Sequence, residues 1–337
     1  MTKLLVRFGR PYKWLVAIVM VLIAVQAISN LYLPNLNADI IDNGVVKGDT
    51  GYIIRTGGLM LLITFLLAIA AVVSVYFGAL TAMSIGRDLR SDVFRKVMDF
   101  SQAETNVFGT PTLITRNTND VQQIQMVIVM ALNVMVMAPI MSVGGIIMAL
   151  REDVPLSGTL LVIVPLVLCV IGTIAMIAIP LFRSMQKRTD RINQVMREKL
   201  AGIRVIRAFV RTEYEEERFD QANVDLTKTG LSIAKLFSFM IPFLFGVMNL
   251  STVVIVWFGG LRIDSGGMEI GHLAAFLQYV MLILFSVMMA ALIFIMVPRA
   301  AASSERINAV LDLEGSICDP ETPAEVVDNK GVVSFEN

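Results

Sequence analysis

Residues able to do covalent chemistry are sparse in this 337-residue chain. It has one histidine, His272, and no stretch matching G-x-x-x-x-G-K-[ST]. Neither a His-based catalytic set nor a phosphate-cradling loop is therefore available. The two cysteines, Cys169 and Cys318, lack metal or redox spacing and imply no disulfide framework. No catalytic residue, cofactor ligand or metal ligand is assigned, and His272 reads most simply as an interfacial residue. What remains is chemistry of reversible binding. Uncharged polar residues stand inside long apolar stretches at Gln26, Ser29, Asn30, Asn133, Asn249 and Gln278, where a translocation path is one use and helix-to-helix hydrogen bonding the other. Among 21 methionines, Met126, Met130, Met137 and Met141, and Met281, Met288, Met289 and Met296, offer flexible, polarisable walls for an adaptable cavity, with ordinary packing as the alternative. A third group is the polar segment "VFGTPTLITRNTND" (residues 107–120), and a fourth the acidic run in "RTEYEEERF".

The elements that must position these residues are set by composition. The chain is 56% hydrophobic and 17% charged, against about 25% charged for an average soluble domain. Six windows hold no Asp, Glu, Lys or Arg: 14–38, 56–86, 121–150, 154–182, 236–261 and 270–298. Each exceeds the roughly 20 residues a helix needs to cross about 30 Å of hydrocarbon. The expected fold is an all-α membrane protein with six transmembrane helices. Four Lys or Arg precede the first window, five lie between the second and third, twelve between the fourth and fifth, and three follow the sixth, against four in the remaining connections. By the positive-inside rule both termini and the two long loops, 87–120 and 183–235, are expected to be cytoplasmic. Formal net charge is zero, which argues against nucleic acid as a partner.

The loops read as helix. In "RDLRSDVFRKVMDF" Leu89, Val93, Phe94 and Val97 recur at helical spacing, and the second loop nearly does so through Ile192, Val195, Met196, Lys199, Ile203, Ile206 and Val210. About 17 helical residues from Arg87 would reach roughly 25 Å beyond the membrane. Residues 1–13 read as an interfacial elbow before the first span, or as a frayed tail. Pro139, Pro165, Pro180, Pro242 and Pro298 mark possible kinks. Residues 314–330, "GSICDPETPAEVVDNKG" from Gly315 onward, read as a linker.

Together these stretches resemble the transmembrane domain of an ATP-binding-cassette exporter half-transporter, over residues 14–313. "LITRNTNDV" is similar to the family's Leu-x-Ser/Thr-Arg-x-x-x-Asp, through Leu113, Thr115, Arg116 and Asp120. "EKLAGIRVIRAFVRTEYEEERF" matches through Glu198, Gly202, Ile203, Ile206, Phe209, Glu215 and Phe219. "GGMEIGHLAAFLQY", "SSERINAVLD" and "GVVSFEN" complete the set, the last resembling the first strand of a nucleotide-binding domain begun at 331–337.

The resemblance implies that ATP and Mg belong to that further domain and none to these residues. It implies a first coupling helix at the loop tip (Phe108, Gly109, Thr110, Pro111, Leu113, Thr115, Arg116) and a second at Thr212, Glu213, Tyr214, Glu215 and Glu216. It also implies a domain-swapped dimer with a second half-transporter, nucleotide-binding domains as partners, membrane lipid around the spans, and a small amphipathic substrate, drug, lipid or peptide. Gln26, Asn30, Asn133, Asn249, Gln278, Met137 and Met288 are the expected path residues. Thr110-Pro111 stands where the family has Thr-Gly, which tilts the expectation toward a heterodimer. A bacterial inner membrane is the expected location. A secondary transporter or a membrane scaffold relaying a signal are the rival classes, but inverted repeats with broken central helices do not account for two long helical loops after the second and fourth spans.

Overall fold

A computed structural model describes residues 2–316 and Phe335. The expected linker beyond 316 and the expected first strand at 331–337 lie outside the described residues, Phe335 apart. Every element described is helical. In chain order these are α1 (Thr2–Gly9), α2 (Lys13–Asp39), α3 (Thr50–Met98), α4 (Gln102–Phe108), α5 (Thr110–Thr115), α6 (Val121–Met130), α7 (Val136–Glu152), α8 (Val154–Ser157), α9 (Leu160–Ala201), α10 (Ile203–Ala208), α11 (Thr212–Asp264) and α12 (Ile270–Leu311). A 3₁₀ turn, Arg10–Tyr12, joins α1 to α2. π-helical turns at Ile40–Val45, Arg116–Asp120 and Ala131–Met135 extend α2 and join α5, α6 and α7.

Among the described residues, six helical stretches are long and apolar enough to cross a membrane: Lys3–Val45, Thr50–Met98, Thr110–Glu152, Val154–Ala201, Thr212–Asp264 and Ile270–Ala290. The first five contain their uncharged windows and overrun them, and the sixth covers the first part of 270–298, which lies wholly within α12. The first connection is shorter than the interval between the windows 14–38 and 56–86, because the π turn carries helix to Val45 and α3 restarts at Thr50.

Pro139 has no N–H for the carbonyl four residues back, that of Met135, the last residue of the π turn Ala131–Met135.

The chain divides into two compact units. One comprises residues 1–20, 73–133 and 294–337. Its core takes Leu4 and Phe8 from α1, Ala82, Ile85, Leu89 and Val93 from α3, Leu113 from α5, Val121, Ile124 and Ile128 from α6, and Ile307 and Val310 from α12. The three- and four-residue intervals put each set on one helical face. Of the four residues read as the apolar face of the first loop, Leu89 and Val93 are fully buried, Val97 is half-buried against the same core and Phe94 is exposed.

The other unit comprises residues 21–72 and 134–293. Its core is built around Phe276, Tyr279 and Ile283 of α12, with Ala27 and Leu31 of α2, Met141 and Ala149 of α7, Leu160, Ile163 and Val167 of α9, and Ile255 of α11. Tyr279 is fully buried, and its hydroxyl donates to the carbonyl of Leu31 at 2.9 Å, as a buried phenol requires. In the same unit α9 and α11 pack along their length as a pair, tied by Arg188–Asp225 and by Arg218–Glu198 at 2.5 Å.

Candidate functional site

At the tip of the first long loop, α4 is set by a capping box. Ser101 Oγ accepts from the Ala103 amide at 3.1 Å, and the Ser101 amide donates to Glu104 Oε2 at 2.7 Å. The other carboxylate oxygen of Glu104 accepts from the Ser316 amide at 3.0 Å, so one side chain ties α4 to the segment after α12. Hydrogen bonds from Ser101 and Ser316 hold the Glu104 carboxyl down at about 2, well below the usual carboxylate range.

The expected first coupling helix is not one helix. Val107 and Phe108 close α4, Gly109 turns the chain with φ 75°, and Thr110–Thr115 is α5, which leads through the π turn into α6. Only glycine takes that φ without strain. Pro111 stands in the first turn of α5, where its missing N–H costs nothing. Phe108 stacks on Phe100 with ring centroids 6.1 Å apart, and the Arg116 guanidinium lies 4.4 Å from the centre of the Phe108 ring. Arg116 also donates to the carbonyl of Arg306 at 2.8 Å. Leu113 is buried, whereas Thr110, Pro111 and Thr115 are exposed.

Just behind the tip lies a group that connects two distant stretches of sequence. Asp120 is buried and accepts from Ser303 Oγ at 2.9 Å and from Arg306 Nε at 2.8 Å, with a second contact from the Arg306 guanidinium. Asp120 holds the Arg306 guanidinium in its charged form, its pKa raised further above the ordinary range. The π turn that opens α6 and the last turns of α12 are thus held by charge-assisted bonds.

The second long loop turns at Gly202, α10 and residues 209–211. Val210 has φ 52°, a conformation unusual for a β-branched residue. Phe209 and Val210 are 74% and 85% exposed, an apolar apex standing clear of the rest of the chain. The residues expected to form a second coupling helix instead open the 53-residue α11. Thr212, Glu213, Tyr214 and Glu216 are exposed, and Glu215 turns back toward Arg218 at 3.6 Å. The separate short helix is α10, immediately before them.

Of the expected path residues, Asn30 and Gln278 line one groove of about 470 Å³ together with Pro34, Thr252 and Met281. Pro34, inside α2, has no N–H to give the carbonyl of Asn30. Gln26, Asn249, Met137 and Met288 are not part of that groove; Met137 packs on the core of its unit. Asn133, which belongs to the other unit, uses its amide locally and donates to the Val129 carbonyl at 2.8 Å.

Sequence reading missed Ser101, Glu104 and Arg306. For the first two a signal was present, since Ser-x-x-Glu is the capping-box pattern. For Arg306, 186 residues from Asp120, no local pattern points to the partner.

Known proteins resemble the chain along most of its length. The family described as ABC transporter transmembrane region matches residues 16–288. An uncharacterised ABC transporter ATP-binding protein of Mycobacterium tuberculosis is 46% identical over 314 residues, which is 93% of this chain and 54% of that protein. A Bacillus subtilis protein of the same description is 35% identical over 308 residues, 91% of this chain and 54% of its own. A fatty acid ABC transporter ATP-binding/permease protein of Mycobacterium bovis is 28% identical over 249 residues, 74% of this chain and 39% of its own. The chain spans about half the length of the curated relatives it matches first.

Proposed function

The chain belongs to the transmembrane-region family of ABC transporters and is an integral multi-pass membrane protein; on that premise we propose that it forms half of the pathway of an ATP-driven exporter. Its partners are a second half-transporter and nucleotide-binding domains that carry ATP and Mg. The long loops transmit closure of those domains to the spans, which alternate between inward-open and outward-open states. The membrane is a bacterial inner membrane, with both chain termini in the cytoplasm.

The observation that carries this reading is the group at Asp120. A loop tip that only linked two spans would need no buried carboxylate held by Ser303 and Arg306, 183 and 186 residues away. A tip that must transmit force needs such a bond, because displacement at α4 and α5 then moves the end of α12 with it. The exposed surfaces suit docking that must also release. Small polar groups (Thr110, Thr112, Thr115) are offered at the first tip, and an apolar apex with charged flanks (Phe209, Val210, Glu213, Glu216) at the second.

The substrate is an amphipathic molecule of the drug, lipid or peptide class. Three features support that class: the uncharged groove at Asn30 and Gln278, the Met281 wall, and the fatty-acid description of one relative. In the full-length protein Phe108→Ala combined with Glu216→Ala leaves ATP hydrolysis running while transport per ATP falls. Unchanged transport per ATP would refute the coupling role.

A further inference from the structure

At the ends of α2, α7 and α12, within one compact unit, three carboxylates converge on the only histidine. One donor atom each of Asp42, Glu269 and His272 lie within 4.8 Å of one another. His272 Nδ1 is hydrogen-bonded to Glu152 Oε2, and the Glu152 side chain is 4% exposed. Asp42, 7% exposed, accepts from the Gly271 amide at 2.7 Å through Oδ1. Its Oδ2 has no hydrogen-bond donor among the described residues.

We propose that Asp42, Glu269 and His272 form a binding site for one Zn²⁺ ion, with Glu152 orienting the imidazole. The chemistry of the set favours this ion. One imidazole with two carboxylates is a three-ligand set that zinc accepts with water in the fourth position, whereas Ca²⁺ and Mg²⁺ favour all-oxygen shells. A buried carboxylate on the second ring nitrogen is the usual outer partner of a metal-bound histidine; it fixes the tautomer and leaves Nε2 for the metal.

Local backbone structure is built around the same residues. Asp42 sits on the π-helical turn Ile40–Val45, an irregularity often found at functional sites. At position 271 any side chain would collide with Asp42 Oδ2 and the carbonyl of Ala38, so only glycine lets α12 approach this turn. Three carboxylates around one imidazole outnumber its charge even when it is protonated, which favours a divalent cation. The ion would fasten the turn after α2 to the start of α12, with α7 tied in through the Glu152–His272 hydrogen bond.

The test is zinc titration of purified, chelator-stripped full-length protein in detergent, followed by competition with a chromophoric chelator. The expected result is one Zn²⁺ per chain removed by His272→Ala. Glu152→Gln should weaken binding about 10- to 100-fold, and millimolar Mg²⁺ or Ca²⁺ should not displace the ion. Glu269→Gln, at an exposed position, lowers affinity without threatening the fold and guards against a misfolded His272 variant. X-ray absorption of the loaded protein should show a nitrogen and oxygen shell at about 2.0–2.1 Å with one imidazole. Zinc should also slow amide exchange at residues 40–46 and 269–273. Absence of stoichiometric binding, binding unchanged in both His272→Ala and Glu269→Gln, or a sulfur-containing shell overturns the proposal.

Discussion

Arg306→Ala provides the sharpest test of how the first loop tip is held. The Asp120 side chain is 4% exposed and that of Arg306 47%, so the carboxylate is the member that cannot rehydrate. Removing the guanidinium leaves Asp120 with one hydrogen-bond donor, Ser303, and only the more distant Arg116 as countercharge. Breaking a buried pair in this way costs about 3–5 kcal/mol. Because Arg306 is half in water, its attraction is partly screened, and the lower end, about 3 kcal/mol, applies. Asp120→Ala leaves behind only a cation that turns to solvent. It should therefore cost less, about 1–2 kcal/mol for the lost hydrogen bonds. The double variant should lie near the Asp120 single variant, since the stranded charge is gone. The assay is hydrogen exchange of the amides in 113–121 and 300–307 in detergent or nanodiscs, which reads local opening. About 3 kcal/mol corresponds to roughly a hundredfold faster exchange. Equal effects of the two single variants, or a double variant showing their full sum, would refute the reasoning.

Other expectations follow from the same geometry. Glu104 has a folded pKa lowered to about 2, so its contribution to holding α4 is present above the ordinary carboxylate pKa and is lost as pH falls through that value toward about 2. Protection at 101–108, taken against the intrinsic exchange rate at each pH, should fall over that window in the parent protein but not in Glu104→Gln, which should be less protected above it. Gly109→Ala forces a side chain into φ 75° and should destabilise the α4–α5 turn by about 1–2 kcal/mol, visible as lower protection of the same amides. Gln278→Ala with Asn30→Ala should weaken stimulation of ATPase by amphipathic compounds without lowering basal ATPase, measured with the full-length protein in nanodiscs.

The spans were legible because uncharged runs as long as 14–38 or 56–86 suit hydrocarbon and little else. Their ends were not, since charge marks where hydrocarbon stops, not where helix stops: 56–86 lies inside Thr50–Met98. Helical loops were readable where one face is buried, as for Leu89 and Val93, and misread where it is not. Val210 fits the helical spacing from Ile206, yet is exposed with positive φ. The Gly109 break did carry a signal in Gly109-Thr110-Pro111, which the likeness to a single coupling helix overrode. In the candidate site, exposed tip residues could be named from motif likeness, but Asp120–Arg306 and Asp42–Gly271, separated by 186 and 229 residues, are products of folding that no local pattern announces.

Contact between the loop tips and an ATP-binding domain is the point on which the proposed mechanism stands. A photo-crosslinking amino acid placed at Val107 and at Phe209, both largely exposed, in the full-length protein reconstituted in lipid tests it directly by mass spectrometry of the products. Crosslinks are expected from both positions to peptides of the ATP-binding domain, changing in yield when ATP is added. Crosslinks only to lipid or to the spans, with and without nucleotide, would contradict that grip.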